Sequence, residues 1–295
     1  MPSAACAGSA QLWVARPAQV GRQVAAGAVN NHRMLTHDGV RSSAATLWEH
    51  WQDVRRMREL PADGRPADRA DGYAIQAAFA ELSGDTVAGW KIAATSAAGQ
   101  AHIRVDGPIG ARLLASRVLD NAARISLDRN LMRVAEAEFA FRLGRDLGAR
   151  ERPYDVDEVL AAVDTLHLAI EVPDSRYEDF RAVGAPQLIA DSACACWFIL
   201  GEAVTADWRG VDFPRHEVEG YKNGARVAQG SGANVLGDPR VALTWMANEM
   251  RQFGDGMRAG QFVTTGTCIV PMPIAPGDRV RMDFGSFGSV EAVFS

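Results

Sequence analysis

Apolar residues recur at helical spacing in the first part of the chain. One stripe ends at the loop of residues 61–66, and its members are Leu47, Trp51, Val54 and Met57. A second stripe ends at Gly84, and its members are Ile75, Phe79 and Leu82. The pattern predicts two helices, with ordered structure beginning near Ser43.

From Val87 onwards the pattern changes to short apolar runs separated by Gly, Asp and Pro, which is typical of β-strands. Asn223-Gly224 lies between two such runs and predicts a type I′ hairpin turn, because both residues tolerate a positive φ. Residues 285–288 predict a second hairpin. The strand candidates cover residues 87–94, 132–142, 166–173, 194–201, 215–222, 225–230, 261–270, 278–284 and 288–294.

Only two helices are predicted among these strands. One follows Asp155, and the other starts with Asp238 as its cap and Pro239 at its first position, and ends at Gly254. Because strands dominate and do not alternate regularly with helices, a doubly wound sheet and a TIM barrel fit poorly. The sequence predicts an α+β fold in which a helical N-terminal layer packs on a large mixed β-roll.

The pattern divides the chain into two predicted parts. Residues 43–295 contain no internal repeat and no low-complexity linker, and we expect them to form a single domain. Residues 1–42 are rich in Ala and Gly and predict a poorly ordered extension. A transit peptide is the alternative, because Arg16, Arg22 and Arg33 occur there with no acidic residue before Asp38.

Composition and charge indicate a small-molecule ligand. The chain carries 31 basic and 36 acidic residues, so nucleic-acid binding, which needs basic stripes, is not expected. The longest apolar run, residues 193–200, is too short to span a bilayer, so no membrane association is expected. The spacing of the four cysteines fits neither a zinc ribbon nor a redox pair, which predicts reduced thiols and a cytoplasmic location.

Two carboxylates project from one face of a predicted strand. Side chains alternate along a strand, so Glu136 and Glu138 share a face, while the residues on the other face are apolar. The next apolar run carries a third carboxylate, Glu171. A solvated strand face is the alternative, but the apolar opposite face and Glu171 favour a semi-buried acidic cluster.

Such a cluster is unfavourable unless a cation neutralises it. Carboxylate oxygens without His or Cys favour Mg²⁺ or Mn²⁺ over zinc. Three carboxylates leave about three of six octahedral positions open, which a bidentate 2-oxo acid and a water would fill. The spacing alone does not name that substrate.

Lysine usage draws attention to Lys91. Of the 31 basic residues only Lys91 and Lys222 are lysines, and lysine supplies a titratable amine that arginine cannot. Lys91 lies in a strand-like apolar run, which favours a functional role over a surface charge. Lys222 borders the Asn223-Gly224 turn, where a solvated charge is expected, and is assigned no chemistry.

Several short motifs occur in the order found in one enzyme family. They are Gly89-Trp-Lys91-Ile, Thr95-Ser96 with Gln100, Ala135-Glu136-Ala-Glu138, Ile170-Glu171-Val-Pro-Asp-Ser-Arg176, Ala190-Asp191-Ser192, Gly230 to Gly237 and Thr265-Gly266-Thr267. From roughly Tyr73 to Ser295 the chain resembles the 2-oxopent-4-enoate hydratase and 4-oxalocrotonate decarboxylase branch of the fumarylacetoacetate hydrolase superfamily. The resemblance implies a mixed β-roll of that superfamily's C-terminal type and a homo-oligomer.

The resemblance also implies the site. Glu136, Glu138 and Glu171 would hold a Mg²⁺ or Mn²⁺, and Lys91 would be catalytic. The residues implied in substrate binding are Ser192, Thr267, Gln100 and Asp106. The departures from the family's usual pattern are Ala93, Ser192, His102 and Arg104, and they bear on the substrate more than on the metal.

The implied function is hydration of a 2-hydroxy-2,4-dienoate to a 4-hydroxy-2-oxo acid in aromatic meta-cleavage catabolism. Lys91 would transfer protons, and a neighbouring cation and partial desolvation are expected to lower its pKa. Decarboxylation of a 4-oxalocrotonate-like diacid is the alternative, and acylpyruvate hydrolysis ranks lower. The non-enzymatic alternative is a structural partner subunit or an oxo-acid-binding protein.

Other chemistry finds little support in the sequence. No Gly-x-Ser-x-Gly elbow is present, and the glycine-rich residues 230–237 lack the Lys of a phosphate loop and predict a backbone turn. The six histidines have no metal-binding spacing. His167 lies at an even offset from Glu171 and could support that residue, but a core or interface histidine is the preferred interpretation.

Overall fold

The first helix begins earlier than the hydrophobic pattern predicts. A computed structural model describes residues 34–295, which form one compact unit, and most of the predicted extension lies outside the described residues. Helix α1 starts at His37 rather than near Ser43, because the Thr36 side chain accepts a hydrogen bond from the Gly39 amide and caps the helix.

The described residues contain helices in the N-terminal part and between the strands. The helices are α1 (His37–Asp53), α2 (Arg69–Ser83), α3 (Ala97–Ile103), α4 (Val156–Ala162), α5 (Ala185–Ala190) and α6 (Pro239–Phe253). The strands are β1 (Val87–Ala93), β2 (Ile109–Leu114), β3 (Val118–Asp120), β4 (Ala123–Ile125), β5 (Val134–Leu143), β6 (Leu147–Gly148), β7 (Val163–Val172), β8 (Trp197–Ala203), β9 (Glu217–Lys222), β10 (Ala225–Ser231), β11 (Gly256–Met257), β12 (Phe262–Thr267), β13 (Met272–Pro273), β14 (Arg279–Asp283) and β15 (Ser289–Phe294).

Most strands belong to two mixed sheets. The eight-stranded sheet has the order β2-β1-β12-β5-β7-β8-β3, with β13 paired to β5, and the five-stranded sheet has the order β10-β9-β14-β15-β4. The pairs β1/β12, β3/β8 and β4/β15 are parallel and the others are antiparallel. The prediction of an α+β fold built on a mixed β-roll is confirmed.

Aromatic side chains fill the core around Phe139 of β5. The Phe139 ring meets the rings of Phe213 and Phe284 edge-on, with centroids 5.1 Å apart in both pairs. All three side chains are fully buried, and each such burial stabilises the fold by roughly 1.5–3 kcal/mol. This packing covers the apolar face of the strand that carries Glu136 and Glu138.

The helical N-terminal layer is confirmed, with a correction to the first helix. Residues Leu47 of α1 and Phe79 of α2 are buried in one core cluster. The helix ends at Asp53, because Val54 takes a left-handed conformation and caps it. Met57, the last member of the predicted stripe, packs on the same core from an extended segment, so its helical spacing was misleading.

Every strand candidate corresponds to a strand of the structure, with boundaries shifted by a few residues. The Asn223-Gly224 turn joins β9 to β10 with both φ angles positive, as the sequence predicts. The prediction of only two helices among the strands is wrong, since α3 and α5 are present as well. Helix α3 buries no residue, so it leaves no apolar stripe in the sequence.

Candidate metal centre

Three glutamates meet where β5 pairs with β7. The antiparallel register sets Glu136 directly opposite Glu171, and Glu138 follows two residues later on the same face of β5. One carboxylate oxygen from each residue lies within 4.8 Å of the other two. The structure therefore brings together the three carboxylates that the sequence singles out.

This acidic cluster lies inside the protein. Glu138 and Glu171 are 0% and 1% exposed, and Glu136 is half-buried. Ala135, Ala137 and Phe139 are fully buried on the opposite face of the strand. A solvated strand face, the alternative weighed for Glu136 and Glu138, is thus wrong.

Lys91 of β1 reaches the same cluster. Its Nζ lies 2.8 Å from Oε1 of Glu171 and donates a hydrogen bond of 2.9 Å to the carbonyl of Ala193. The side chain is almost fully buried. The surface-lysine alternative is therefore wrong for Lys91, whereas Lys222, on β9 of the other sheet, is partly exposed and hydrogen-bonds the carbonyl of Pro273.

The pKa values of Lys91, Glu136 and Glu138 are all raised above their ordinary values. Burial alone would lower the pKa of Lys91, but the charges of Glu171, Glu136 and Glu138 outweigh it and raise that pKa. Burial raises the pKa of Glu136 and of Glu138, and the charge of Glu171 raises both further. With the protein side chains alone the pKa of Lys91 is thus raised, because three carboxyl groups face one ammonium, and the lowering expected beside a bound cation stays a prediction.

The donor set fits a hard divalent cation. Oε1 of Glu138 and Oε2 of Glu171 are buried and accept no hydrogen bond from any described residue. Unpaired buried carboxylate oxygens are costly, and hard cations such as Mg²⁺ are bound by oxygens of this kind. Glu136, Glu138 and Glu171 could thus hold one ion and leave coordination positions for water and substrate.

Gly266 of β12 fixes one of these carboxylates. Its amide donates a hydrogen bond of 3.0 Å to Oε2 of Glu138. The residue has a φ of 96°, and a Cβ at this position would overlap the side chain of Thr95. Only glycine combines this backbone conformation with that close approach, which gives the Thr-Gly-Thr motif a physical role.

Two of the predicted substrate-binding residues lie beside the cluster. Thr267 is the cross-strand partner of Glu138, and its Oγ1 donates to the carbonyl of Ile269 at 2.9 Å. Ser192 is buried and adjoins Ala193, whose carbonyl contacts Lys91. Both positions are compatible with contact to a molecule bound at the carboxylates.

The other two predicted substrate-binding residues have different surroundings. Gln100 of α3 is half-buried, and its Nε2 donates to the carbonyl of Ala94 at 3.1 Å. Asp106 is exposed in the turn between α3 and β2. Within the described residues, neither side chain forms a hydrogen bond or an ion pair with the three glutamates or Lys91.

One buried element near the site was missed by sequence reasoning. Ser192, Ala193 and Cys194 all have positive φ, at 51°, 45° and 64°. For residues other than Gly this conformation costs about 1–2 kcal/mol each, so a run of three needs support from its surroundings. Asp191 and Arg176 form a buried ion pair beside it, and both residues stood in the quoted motifs without an assigned role.

The remaining candidate residues have structural explanations. Nδ1 of His167 lies 2.8 Å from the carbonyl of Gly201, and its Nε2 lies 2.9 Å from Thr165, so it is a satisfied core histidine. Cys194, Cys196 and Cys268 are free thiols, and burial raises the pKa of Cys194 to about 12, which makes the thiol unreactive. Cys6 lies outside the described residues, and within residues 34–295 no helix is long and apolar enough to cross a membrane.

Comparison with known proteins identifies relatives of nearly the same length. The chain is 30% identical to 4-oxalocrotonate decarboxylase of Pseudomonas sp. (strain CF600) over 266 residues, which cover 89% of this chain and 99% of the relative. It is 32% identical to 2-keto-4-pentenoate hydratase of Paraburkholderia xenovorans (strain LB400), over 85% of this chain and 93% of the relative.

A solved structure shares the fold. The 4-oxalocrotonate decarboxylase from Pseudomonas putida G7, complexed with magnesium and adipate, superimposes with a TM-score of 0.80 at 29% identity, over 89% of this chain and 100% of that one. Residues 112–295 match the family described as fumarylacetoacetate (FAA) hydrolase C-terminal. The chain therefore belongs to the fumarylacetoacetate hydrolase family, in the branch of the 2-keto-4-pentenoate hydratases and 4-oxalocrotonate decarboxylases.

Proposed function

We propose that this protein is a divalent-metal-dependent hydratase that converts a 2-hydroxy-2,4-dienoate into a 4-hydroxy-2-oxo acid. The observation that carries the proposal is the buried cluster of Glu136, Glu138 and Glu171 with Lys91 in contact. The hydratases among the relatives support the same activity.

Glu136, Glu138 and Glu171 are the proposed ligands of the ion, which is Mg²⁺ or Mn²⁺. Support comes from the unpaired oxygens of Glu138 and Glu171 and from the magnesium in the related decarboxylase structure. When bound, the cation would polarise the keto oxygen of the substrate and offset the charge of the three carboxylates.

Lys91 is the proposed proton carrier. In the isomerisation the 2-hydroxyl group of the dienol loses a proton and C5 gains one, which yields the conjugated ketone. An ammonium has three N–H donors, and the contacts of Lys91 are one hydrogen bond to the carbonyl of Ala193 and an ion pair with Glu171, so donor capacity remains for the substrate. Water then adds across the double bond, with its hydroxyl on C4 and its proton on C3.

The substrate carboxylate would bind beside the metal ligands. Thr267 and Ser192 are the proposed hydroxyl donors, because Thr267 is the cross-strand partner of Glu138 and Ser192 adjoins the acceptor of Lys91. The Thr267 hydroxyl, which donates to the carbonyl of Ile269 in the structure, would turn to the substrate carboxylate when the substrate binds. The substrate-binding roles of Gln100 and Asp106 stay proposals, and they rest on the family pattern. Homo-oligomer formation and a cytoplasmic location are further proposals, and light scattering in solution tests the first.

An enzyme is favoured over a non-catalytic partner subunit or an oxo-acid-binding protein. A subunit with a purely structural role gains nothing from a cluster of three carboxylates in which two, those of Glu138 and Glu171, are buried with unpaired oxygens, because such groups destabilise the fold. The presence of Lys91 in the same cluster supports proton transfer as well as ligand binding.

Decarboxylation of a 4-oxalocrotonate-like diacid is the second candidate. It is favoured by the similarity to the decarboxylase over 99% of that relative's length, and the same cluster would serve both reactions. Parallel assays with 2-hydroxypenta-2,4-dienoate and with 4-oxalocrotonate, each with product identification, separate the two. We expect hydration of the dienoate to be faster, whereas faster release of CO₂ from 4-oxalocrotonate would overturn the hydratase assignment.

A further inference from the structure

A strained turn presents the backbone acceptor of Lys91. Ser192, Ala193 and Cys194 are left-handed in succession, although none of them is glycine. The carbonyl of Ala193, in the middle of this turn, accepts the hydrogen bond from Nζ of Lys91. Strained backbone of this kind persists only where the surrounding contacts over-determine it, and it is concentrated at functional sites.

Asp191 and Arg176 supply those contacts. Nε of Arg176 donates to Oδ1 of Asp191, and the Arg176 backbone amide and the Ser175 hydroxyl both donate to Oδ2, at 3.1 and 2.7 Å. The Arg176 guanidinium also donates to the carbonyl of Asp191 and, at 3.4 Å, to that of Ala195. Arg176 therefore holds the chain immediately before and immediately after the strained turn.

The same contacts tie the turn to the strand of a metal ligand. Residues 174–176 are separated by Pro173 alone from β7, which carries Glu171 near its end. The amide of Asp174 donates to the carbonyl of Cys194 at 2.9 Å. The turn and Glu171, which are the two partners of Lys91, are thus connected through one short segment.

We propose that the Arg176–Asp191 ion pair positions Lys91 for proton transfer by holding the Ala193 carbonyl in its left-handed turn. Arg176 and Asp191 are positioning residues, since the contacts place them around the turn and not on Lys91 itself. The inference rests on the proposed role of Lys91 in catalysis. The positioning role is inferred from the geometry of the turn and does not depend on which substrate the protein binds.

A guanidinium is suited to this position. Its planar fork donates to Asp191 and to two backbone carbonyls at once, and one of its faces lies 4.3 Å from the centroid of the Trp51 ring. A lysine keeps the charge but lacks the fork. Arg176→Lys therefore removes the simultaneous hydrogen bonds to the two backbone carbonyls, while it preserves the charge pairing with Asp191.

The test uses the full-length protein with Arg176→Lys, Asp191→Asn and a control. The control is Arg281→Lys, which changes an Arg–Asp pair formed with Asp283 on β14 of the other sheet. Three quantities are measured: kcat and KM with 2-hydroxypenta-2,4-dienoate, Mn²⁺ affinity by electron paramagnetic resonance, and deuterium exchange at C3 of 2-oxopentanoate in D₂O by NMR. The saturated 2-oxo acid can enolise but has no carbon–carbon double bond to which water can add, so exchange reports proton transfer alone.

We expect kcat and the exchange rate to fall together by about 100-fold in both site variants, with KM and Mn²⁺ affinity near those of the wild type. The control variant should match the wild type in all three quantities. Wild-type exchange in a folded Arg176→Lys variant, or a loss of Mn²⁺ affinity as large as the loss of kcat, would overturn the inference. If Arg176→Lys does not fold, Asp191→Asn carries the same test, because it keeps the size of the side chain and one acceptor oxygen.

The exchange measurement separates this inference from the proposed hydration. Wild-type protein that exchanges the C3 hydrogens but hydrates no dienoate contradicts the proposed function and leaves the positioning role standing if the variants lose exchange. Absence of exchange in the wild type contradicts the role of Lys91 and, with it, this inference. Hydration with unaltered exchange in both variants contradicts the positioning role alone.

Discussion

Glu136 and Glu171 are direct cross-strand partners on β5 and β7. Like charges in this arrangement destabilise a sheet, and here both strands lie in the middle of the eight-stranded sheet. Glu138 adds a third carboxylate, and one buried ammonium, that of Lys91, lies among them. We infer that this arrangement is maintained for binding a divalent cation and for moving protons next to it.

Mg²⁺ should stabilise the folded protein against heat. At a concentration of about 100 times Kd, a ligand that binds only the folded state adds about 2.7 kcal/mol of stability. Oxalate or pyruvate, which mimic the chelating end of the substrate, should raise the melting temperature further in the presence of Mg²⁺. Differential scanning fluorimetry with and without a chelator measures both effects.

Glu138→Gln should abolish this stabilisation. The substitution removes a proposed ligand charge while it keeps an oxygen for the Gly266 amide, so the metal-free fold should be retained. The matched control is Glu202→Gln, which changes an exposed glutamate on β8. A Mg²⁺-induced shift of the melting temperature in Glu138→Gln equal to that of the wild type would contradict the assignment of the ligands.

Lys91→Arg should lose most turnover. General acid–base catalysis contributes about 10²–10⁴-fold, and a guanidinium keeps the charge but cannot release its proton in the working range. Lys222→Arg is the control, because Lys222 is partly exposed beside a turn of the other sheet. Steady-state kinetics should give the control the kcat of the wild type, and a fully active Lys91→Arg variant would refute the catalytic role.

Gly266→Ala should destabilise the protein more than Gly260→Ala. Both glycines have a left-handed φ, of 96° and 85°, but a Cβ at 266 would overlap Thr95 whereas no atom lies within 4 Å of one at 260. The difference between the free energies of unfolding of the two variants isolates the effect of this overlap. We expect chemical denaturation to give a difference of about 1–3 kcal/mol. Equal stability of the two variants would show that the close approach to Thr95 is relaxed at no cost.

Ala193→Gly should stabilise the fold. Glycine adopts the left-handed conformation freely, so the substitution should relieve about 1 kcal/mol of backbone strain. Ala292→Gly removes a methyl group from an equally buried alanine in β15, where glycine is unfavourable, and should lower the stability. Changes in the free energy of unfolding, relative to the wild type, that have the same sign and size in both variants would contradict the strain assigned to the turn.

Periodicity was sufficient to predict much of the fold and the composition of the acidic cluster. Alternation along β5 sets Glu136 and Glu138 on one face, and apolar runs of strand length identify β5 and β7 without knowledge of their pairing. Turn chemistry likewise predicts the Asn223-Gly224 hairpin, because local φ preferences determine it. These features depend on residues that are near each other in the chain.

The pattern of apolar and polar residues does not predict contacts between residues that lie far apart in the chain. Strand β12 lies between β1 and β5, and nothing in its sequence shows that Gly266 would meet Glu138 or that Lys91 would reach Glu171 from β1. The left-handed turn at 192–194 contains no glycine, so residue type does not indicate it. The raised pKa of Lys91 follows from the number of carboxylates around it, which only the three-dimensional arrangement provides.

Metal-dependent hydration is tested most directly by the ultraviolet absorbance of 2-hydroxypenta-2,4-dienoate with the wild-type protein and Mg²⁺ or Mn²⁺, together with NMR identification of the product. We expect loss of the dienoate with formation of 4-hydroxy-2-oxopentanoate, no reaction in the presence of a chelator, and little reaction with Lys91→Arg. Hydration that persists in excess chelator, or no loss of the dienoate with either metal, would contradict metal-dependent hydration.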